Sequence, residues 1–343
     1  MRLLIVTPRQ PRATGNTVTA MRLAGGLREL GHQVRLSEAA VGLPLSLGEE
    51  EAPFNPQLAL LLHAFRAGAP WLCSQAAGRL PFAVLLAGTD IHGGIHDPVQ
   101  APVIWRVLRS APRILTQNRL TAGELSRNCP ELAERLRYLP PGVVLGDAPC
   151  PVVLHRLAEA GTPALLHAAG IRPVKGNLEL LLLSDGLAAA KVPFTLSFCG
   201  PVLDQRYGER FFAALRERPW ARYLGTVDPS AMPALLRQAD LVLNHSESEG
   251  LPNVLVEAVA LGRPILARAI SGNAAVVDEA INGRLYRDDG EFLSIARELL
   301  LDPGQLRQLS NRGPDPGRFS PRREAERLKE IFREMLAEPN AEV

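Results

Sequence analysis

Hydrophobic and polar positions in the first forty residues repeat in the order strand, helix, strand. Residues 3–6 are a short apolar run, typical of a buried strand in a parallel sheet, and a loop rich in proline and glycine follows it up to Gly15. From Asn16 onward, apolar residues recur at three- and four-residue spacing, which predicts a helix that ends at Gly31. Residues 33–36 then start a second strand. This order is typical of a doubly wound α/β sheet.

The same order recurs along the rest of the chain. It predicts strands at residues 81–86, 113–115, 164–167, 194–198, 221–224, 241–244 and 264–267, and helices at residues 177–190, 232–238, 252–261, 274–279 and 321–336. Prolines are dense between Pro140 and Pro163, which indicates a linker. We therefore expect two doubly wound, Rossmann-like domains, residues 1–150 and 151–320. Residues 321–343 are expected to form a closing helix that packs back toward the first domain.

Composition and charge narrow the class of protein. The 343 residues carry 38 Lys and Arg against 36 Asp and Glu, so the chain has no global basic surface for nucleic acid. An apolar content of 46% argues against disorder. The four cysteines form no CxxC pair, so we expect reduced, structural thiols. No apolar run approaches the ~18 residues of a transmembrane segment, and the N-terminus lacks the regions of a signal peptide. A soluble cytoplasmic protein is expected.

The loops that follow the strands are the places to search for chemistry, because ligands of open parallel sheets bind beyond the carboxyl ends of the strands. An acidic loop at residues 246–253 follows one apolar strand and opens a helix. Glu249 lies in this loop, and Glu257 lies a turn or so inside the helix. We expect one carboxylate to face a sugar and the other to accept hydrogen bonds from ribose hydroxyls. An equally weighted alternative is that Glu249 caps the helix and Glu257 is a solvated surface acid.

A second loop supplies the positive charge that such a site requires. Arg172 and Lys175 follow the strand at residues 164–167 and are suited to clamp a diphosphate, Arg through its planar fork and Lys as a point charge. Two solvated surface cations are the alternative. The chain contains no Asp-x-Asp pair, and these cations can stand in for a divalent metal. We therefore expect neither a metal nor a cofactor.

The first domain carries weaker signals. Gly15 permits close approach of the backbone to a ligand, and Asn16 is a candidate helix cap. A G-x-G-x-x-G fingerprint is absent, which argues against a nicotinamide dehydrogenase. Asp90 and His92 follow a buried strand and are candidates for acceptor binding or proton transfer, with turn formation as the alternative for each. His245 is expected to be a packed histidine rather than a catalyst.

Taken together, these residues resemble the retaining GT-B glycosyltransferases of glycosyltransferase group 1, also called family 4. Residues 249–258 match the family's E-x7-E signature, and the segments 260–264 and 272–273 continue the match. Residues 225–227 and 15–34 also fit the family pattern. The segments 14–20, 88–90 and 272–277 look closest to the glycosyltransferase 1 domain-containing proteins, and selenosugar synthases look like more distant relatives.

The resemblance implies a GT-B fold, in which two Rossmann-like domains face each other across a cleft. It implies metal-independent, retaining transfer of a hexosyl group from a nucleotide diphosphate sugar, with UDP favoured, to an unidentified small-molecule, protein or glycan acceptor. A sugar-nucleotide 2-epimerase and a non-catalytic nucleotide-sugar-binding protein are the alternatives.

The resemblance also assigns roles to single residues. Arg172 and Lys175 would hold the diphosphate, Glu257 the ribose, and Glu249 the transferred sugar near its reacting centre. Asp90 and His92 are the candidates for the acceptor side. The other donor-binding positions are Gly15 and Asn16 across the cleft, Val227 near the base, and Gly250, Leu251, Asn253 and Val254 in the acidic loop and the helix after it.

Overall fold

The computed structural model describes residues 1–9, 15–43, 45, 54–154, 161–311 and 317–337. The chain divides into two compact units. Unit 1 consists of Met1–Val144 together with Arg318–Val343, and unit 2 is the continuous stretch Leu145–Gly317. The division at Val144 falls inside the proline-rich stretch, and the C-terminal segment belongs to the same unit as the N-terminus. Among the described residues, no helix is long and apolar enough to cross a membrane.

Unit 1 is built on a six-stranded parallel sheet with the order β2-β1-β3-β4-β5-β6. Its strands are β1 (Arg2–Pro8), β2 (Gln33–Ala39), β3 (Leu58–Leu62), β4 (Phe82–Leu85), β5 (Arg113–Thr116) and β6 (Leu136–Tyr138). Its helices are α1 (Gly15–Glu29), α2 (Gly68–Leu72), α3 (Thr89–His92), α4 (Ala101–Ser110), α5 (Arg119–Asn128) and α14 (Pro321–Ala337). The central strands β3 and β4 are buried along their whole length, which is why they appear in the sequence as continuous apolar runs.

The C-terminal helix α14 packs against α1 within unit 1. Its apolar face joins the core that α1 and the sheet form, with Leu328, Ile331 and Phe332 fully buried. Glu324 lies beside this face and accepts two hydrogen bonds from the Arg22 guanidinium, at 2.8 Å from Nε and 3.0 Å from Nη2. Since both side chains are buried, a bidentate ion pair fixes α14 to α1.

Unit 2 repeats the architecture with the strand order β12-β11-β10-β7-β8-β9, again all parallel. Its strands are β7 (Ala164–Ala168), β8 (Thr195–Cys199), β9 (Ala221–Tyr223), β10 (Leu241–Asn244), β11 (Ile265–Arg268) and β12 (Gly283–Tyr286). Its helices are α6 (Asn177–Leu183), α7 (Asp185–Ala189), α8 (Gln205–Leu215), α9 (Met232–Leu236), α10 (Asn253–Ala260), α11 (Ser271–Ala274), α12 (Asp289–Leu301) and α13 (Pro303–Asn311). The two sheets confirm the predicted pair of doubly wound α/β domains.

Two predicted helices of unit 2 are wrong in extent or position. The helix expected at residues 177–190 is interrupted at Ser184, whose hydroxyl donates to the Leu180 carbonyl at 2.8 Å. This bond weakens the helix at Ser184, because the hydroxyl competes with the backbone N–H of the same residue for the Leu180 carbonyl. The helix expected at residues 274–279 is also wrong, because α11 already ends at Ala274. Beyond it, the Asn282 side chain bonds Asp278 N and Val276 O and holds a loop.

Candidate functional site

The loops after β7, β10 and β11 form the candidate site of unit 2. These three strands are neighbours in the sheet, so the loops after them meet at one edge. Two glycines allow this close contact. Gly176 has φ +63°, and a Cβ on it would lie 2.7 Å from the His245 carbonyl oxygen. A Cβ on Gly272 would lie 2.5 Å from the carbonyl oxygen of Glu249. No larger residue fits at either position without moving backbone.

Lys175 and Glu249 meet in this site as an ion pair. Lys175 ends the 3-10 turn Pro173–Lys175, and its Nζ donates to Glu249 Oε1. The side chains are only 16% and 11% exposed, so solvent screens the pair weakly. Ser246 Oγ donates to the same Oε1 at 2.7 Å, and Asn244 Nδ2 lies 3.5 Å from it. Glu249 Oε2 takes part in none of these contacts.

The surroundings of Glu249 keep its carboxylate ionised. Burial alone raises the pKa of this group, but the Lys175 charge and the hydrogen bonds from Lys175, Ser246 and Asn244 together outweigh it. The net result is a pKa below the ordinary value of 4.5. The Glu249 carboxylate binds Lys175, Ser246 and Asn244, and among the described residues α10 has no side-chain cap at its start, so the capping alternative for Glu249 is wrong. Its contact with a sugar stays a prediction.

A pair of buried amides supports this carboxylate from the side of β11. Asn244 Oδ1 accepts hydrogen bonds from Ser246 N at 3.0 Å and from Asn273 Nδ2 at 3.2 Å. Asn273 Nδ2 also donates to the Arg268 carbonyl oxygen at 2.9 Å. Both asparagines are buried. The acidic loop is therefore held on one side by Lys175, from the loop after β7, and on the other side by Asn273, which follows β11.

The other predicted donor residues of unit 2 lie in the loops that follow its strands or in α10. Arg172 precedes the 3-10 turn, and its backbone N–H donates to Asn177 Oδ1 at 3.3 Å. Glu257 is half-buried in the second turn of α10, while Val227 follows the edge strand β9 and is buried. Gly250, Leu251, Asn253 and Val254 lie in the acidic loop and at the start of α10.

In unit 1, Asp90 joins two loops. It is fully buried, its Oδ2 accepts from Ala64 N at 2.7 Å, and its Oδ1 accepts from Ala87 N at 3.0 Å. These bonds tie the loop after β3 to the loop after β4, so the geometry of Asp90 fits turn formation, the alternative named for it above. His92 is the last residue of α3, and its side chain lies outside the described part of the structure.

Gly15 and Asn16 lie in the first turn of α1 rather than in a loop before it. The helix predicted from Asn16 onward is confirmed to within one residue, but Asn16 is already inside the helix instead of capping it. Most of the preceding loop, residues 10–14, lies outside the described residues.

His63 is a residue that the sequence interpretation missed. It follows β3 with φ +90°, a strained conformation for a residue with a side chain. Its Nδ1 accepts from the backbone N–H groups of Phe65 and Arg66, each at 3.2 Å, so the ring hydrogen sits on Nε2 and points to Thr89 Oγ1 at 3.1 Å. His63 and Asp90 thus fix the same pair of loops. The only sequence signal was a lone histidine that ends an apolar run.

His167, at the end of β7, was also missed. Its Nδ1 lies 3.1 Å from the Leu243 carbonyl oxygen, which can only accept, so Nδ1 carries the hydrogen. Burial lowers the pKa of His167 to about 4, and the ring is neutral at pH 7. His245 was predicted to be a packed histidine, and this is confirmed: it is buried, its Nδ1 lies 2.5 Å from Tyr286 Oη, and the two rings stack.

Several buried polar atoms around these loops lack a hydrogen-bond partner among the described residues. They are His167 Nε2, Asn177 Nδ2, Ser248 Oγ and Asn273 Oδ1. Folded proteins rarely leave such groups unsatisfied, because each costs the free energy of removing it from water. All four lie at the carboxyl ends of β7, β10 and β11 or in the elements that follow. They mark this edge as a place where a polar ligand or ordered water completes the hydrogen bonding.

Sequence comparison relates most of the chain to known proteins. Residues 162–302 match the family model described as Glycosyl transferases group 1. Glycosyltransferase 1 domain-containing protein 1 of Xenopus tropicalis is 24% identical over 315 residues, which cover 86% of this chain and 87% of that protein. D-inositol 3-phosphate glycosyltransferase of Segniliparus rotundus is 28% identical over 266 residues, which cover 72% of this chain and 58% of that protein.

Comparison with solved structures shows the fold. Alr3699/HepE of Anabaena, in complex with UDP and glucose, has a TM-score of 0.74 at 17% identity and covers 97% of this chain and 99% of its own. Sucrose-phosphate synthase of Thermosynechococcus elongatus has a TM-score of 0.75 at 16% identity and covers 98% and 100%. The two sheets and their flanking helices therefore have the GT-B fold.

Proposed function

We propose that the chain is a glycosyltransferase of group 1, because residues 162–302 match the model of that family, and that it transfers a hexosyl group from a nucleotide diphosphate sugar to an acceptor. The observation that carries the proposal is the buried pair of Lys175 and Glu249 at the carboxyl ends of β7 and β10. UDP-glucose is the first donor to test, since UDP and glucose are bound in Alr3699/HepE.

The leaving group sets the first task of the site. When the bond between the sugar and the diphosphate breaks, negative charge grows on the diphosphate and positive character on the sugar ring. Lys175 contacts Glu249 in the loop before α10, and Arg172 precedes the same 3-10 turn as Lys175. The backbone N–H groups at the start of α10 also favour an anion. We propose that these groups take up the charge without a metal ion.

Lys175 has to serve two partners when the donor is bound. Its ammonium group has three N–H donors, so one can stay on Glu249 Oε1 while another reaches the diphosphate. Glu249 Oε2 then faces the sugar, where the ionised carboxylate accepts a hydroxyl hydrogen and stabilises positive character on the ring. Glu257 accepts the ribose hydroxyls, and Val227 lies against the base.

We propose that transfer retains the configuration at the anomeric carbon. An acceptor atom bonds to that carbon on the face from which the diphosphate leaves, the bond from carbon to the phosphate oxygen breaks, and the acceptor's proton passes to the leaving phosphate. No protein nucleophile is needed. The acceptor binds at the loops after β3 and β4 of unit 1, where Asp90 shapes the loop and His92 remains the candidate for direct contact.

A donor screen followed by paired variants tests the proposal. Thermal-shift measurements with UDP-, GDP- and ADP-glucose identify the donor, because a ligand at 100 times its Kd stabilises the folded state by about 2.7 kcal/mol. Glu249→Ala and Arg172→Ala are then assayed for transfer and for donor hydrolysis. Glu247→Ala is the matched control, an exposed acid of the same loop. We expect loss of both activities in the first two variants and full activity in the control; wild-type turnover in both would refute the assignment.

Product analysis separates this function from its alternatives. A 2-epimerase would convert the donor in the absence of an acceptor, and a sensor would bind the donor without turnover across a broad acceptor panel. We also propose a cytoplasmic location, because the cysteines Cys73, Cys129, Cys150 and Cys199 are free thiols, as a reducing compartment favours.

A further inference from the structure

Asn273 lies on α11, in the loop region that follows β11, and is completely buried. Its Nδ2 donates to two acceptors, the Arg268 carbonyl oxygen at 2.9 Å and Asn244 Oδ1 at 3.2 Å. An amide group has two N–H donors on its nitrogen and none on its oxygen. Both donors are in use, so the two acceptors fix which way the Asn273 amide faces.

The orientation of Asn273 determines that of Asn244. Asn244 Oδ1 must face the donors Asn273 Nδ2 and Ser246 N, which turns its own Nδ2 toward Glu249 Oε1 at 3.5 Å. A continuous chain of amides therefore runs from the Arg268 carbonyl of β11 to the Glu249 carboxylate. If Asn244 flipped, its oxygen would face the carboxylate, and the two acceptors would repel each other.

Gly272 brings this chain into contact with the acidic loop. A Cβ on Gly272 would lie 2.5 Å from Glu249 Cβ and 2.8 Å from its carbonyl carbon. The backbone of α11 thus packs directly on the backbone of Glu249, so the acidic loop cannot move toward α11. Asn273, the next residue, is held at a fixed position relative to the carboxylate that it supports.

We propose that Asn273 is a positioning residue for Glu249. It orients the Asn244 amide, which together with Ser246 and Lys175 holds Oε1, so that Oε2 is the oxygen presented to the donor sugar. That this ligand is the donor sugar rests on the proposed function. The relay, by which we mean the hydrogen-bonded chain from Asn273 through Asn244 to Glu249, is a property of the protein without ligand. The relay matters most when the diphosphate attracts the Lys175 ammonium, because the Asn244 amide and the Ser246 hydroxyl then keep the Glu249 carboxylate in place.

The test compares Asn273→Ala with the isosteric Asn273→Asp, which keeps the shape but places an oxygen against Asn244 Oδ1 and the Arg268 carbonyl. Asn282→Ala is the matched control. Asn282 is also a buried asparagine of unit 2, and its amide bonds Asp278 N and Val276 O, away from Glu249. Crystal structures of the three variants are determined, UDP affinity is measured by calorimetry, and UDP-glucose turnover is separated into kcat and KM.

We expect the Glu249 carboxylate to leave its position on Lys175 and Ser246 in both Asn273 variants. Turnover should fall by up to about 100-fold, the cost of misplacing a reacting group by about 1 Å. UDP affinity should stay unchanged, because UDP lacks the transferred hexosyl group that Glu249 faces. Asn282→Ala should lose stability but keep kcat. If Asn273→Ala does not fold, Asn273→Ser replaces it and should show a smaller loss, since its hydroxyl keeps one donor.

Two results would overturn the inference. One is an unmoved Glu249 carboxylate in the crystal structures of the Asn273 variants, and the other is an equal loss of kcat in Asn282→Ala. A wild-type protein that transfers no sugar would instead remove the proposed function, and the crystal structures would still decide whether the relay exists.

Discussion

Two buried histidines should make unit 2 sensitive to acid. The pKa values of His167 and His245 are lowered from 6.5 to about 4, in both cases chiefly by burial, and for His245 also by the nearby Arg268 charge. The unfolded chain binds a proton at each histidine near pH 6.5, but the folded chain does so only near pH 4. Between these values the unfolded state holds more protons, so the free energy of unfolding falls as the pH falls.

The magnitude follows from the size of the shifts. A difference of about 2.5 pKa units at about 1.4 kcal/mol per unit gives about 3 kcal/mol for each histidine when the pH drops from 7 to 4. Domains are stable by only about 5–15 kcal/mol, so the loss is a large fraction of the total. The sum over both residues is an upper bound, because the two charges interact with each other.

Native-state hydrogen exchange resolved by peptide is the suitable assay, because a chain of two units does not unfold in one step. Protection of peptides from β7 and β10 is compared at pH 7 and pH 4.5, after correction for intrinsic exchange, in the wild type, His167→Leu and the exposed-site control His96→Leu. We expect His167→Leu to be less stable at pH 7 but to lose less stability on acidification. Equal losses in all three proteins would refute the reasoning.

Two further predictions concern stability and close packing. Glu324→Gln should destabilise unit 1 by about 3–5 kcal/mol in urea unfolding, because it leaves the Arg22 guanidinium buried without its counter-charge. The control is Glu326, which pairs with the exposed Arg322 on the same helix, and Glu326→Gln should cost at most about 1 kcal/mol. Similar losses of stability in the two glutamine variants would contradict the argument. Gly272→Ala should abolish most glycosyl transfer, because the new Cβ pushes the Glu249 backbone aside. Gly25→Ala, where nothing lies within 4 Å, should leave transfer intact, and equal activity of the two alanine variants would speak against the packing argument.

The architecture was readable from the sequence because both sheets are covered on two sides. Buried parallel strands then appear as short apolar runs between helical periods, and the strand at Leu241–Asn244 was located to the residue. Periodicity predicted the helices and strands less well where tertiary contacts determine their limits. The break at Ser184 depends on one side-chain hydrogen bond. The strand Gly283–Tyr286 was not identified, since only its two end residues are buried and the middle residues, Arg284 and Leu285, are half-buried.

The candidate site was only partly readable for a similar reason. The sequence singled out Lys175 and Glu249, but the contact between them depends on β7 lying beside β10, and strand order is not written in local patterns. The relay through Asn273 and Asn244 was invisible, because asparagines in loops usually form turns. The strained backbone of His63 likewise becomes apparent only once φ is known.

The placement of α14 has a consequence for biosynthesis. The N-terminal sheet needs a helix that is synthesised after the whole of unit 2, whereas unit 2 is one uninterrupted stretch that ends at Gly317. We therefore expect unit 2 to complete its core on the nascent chain while unit 1 stays protease-sensitive until α14 has left the ribosome. Limited proteolysis of stalled chains that present residues 1–317 outside the ribosome should cleave the first 144 residues faster than the rest, and uniform resistance would show that the sheet closes without α14.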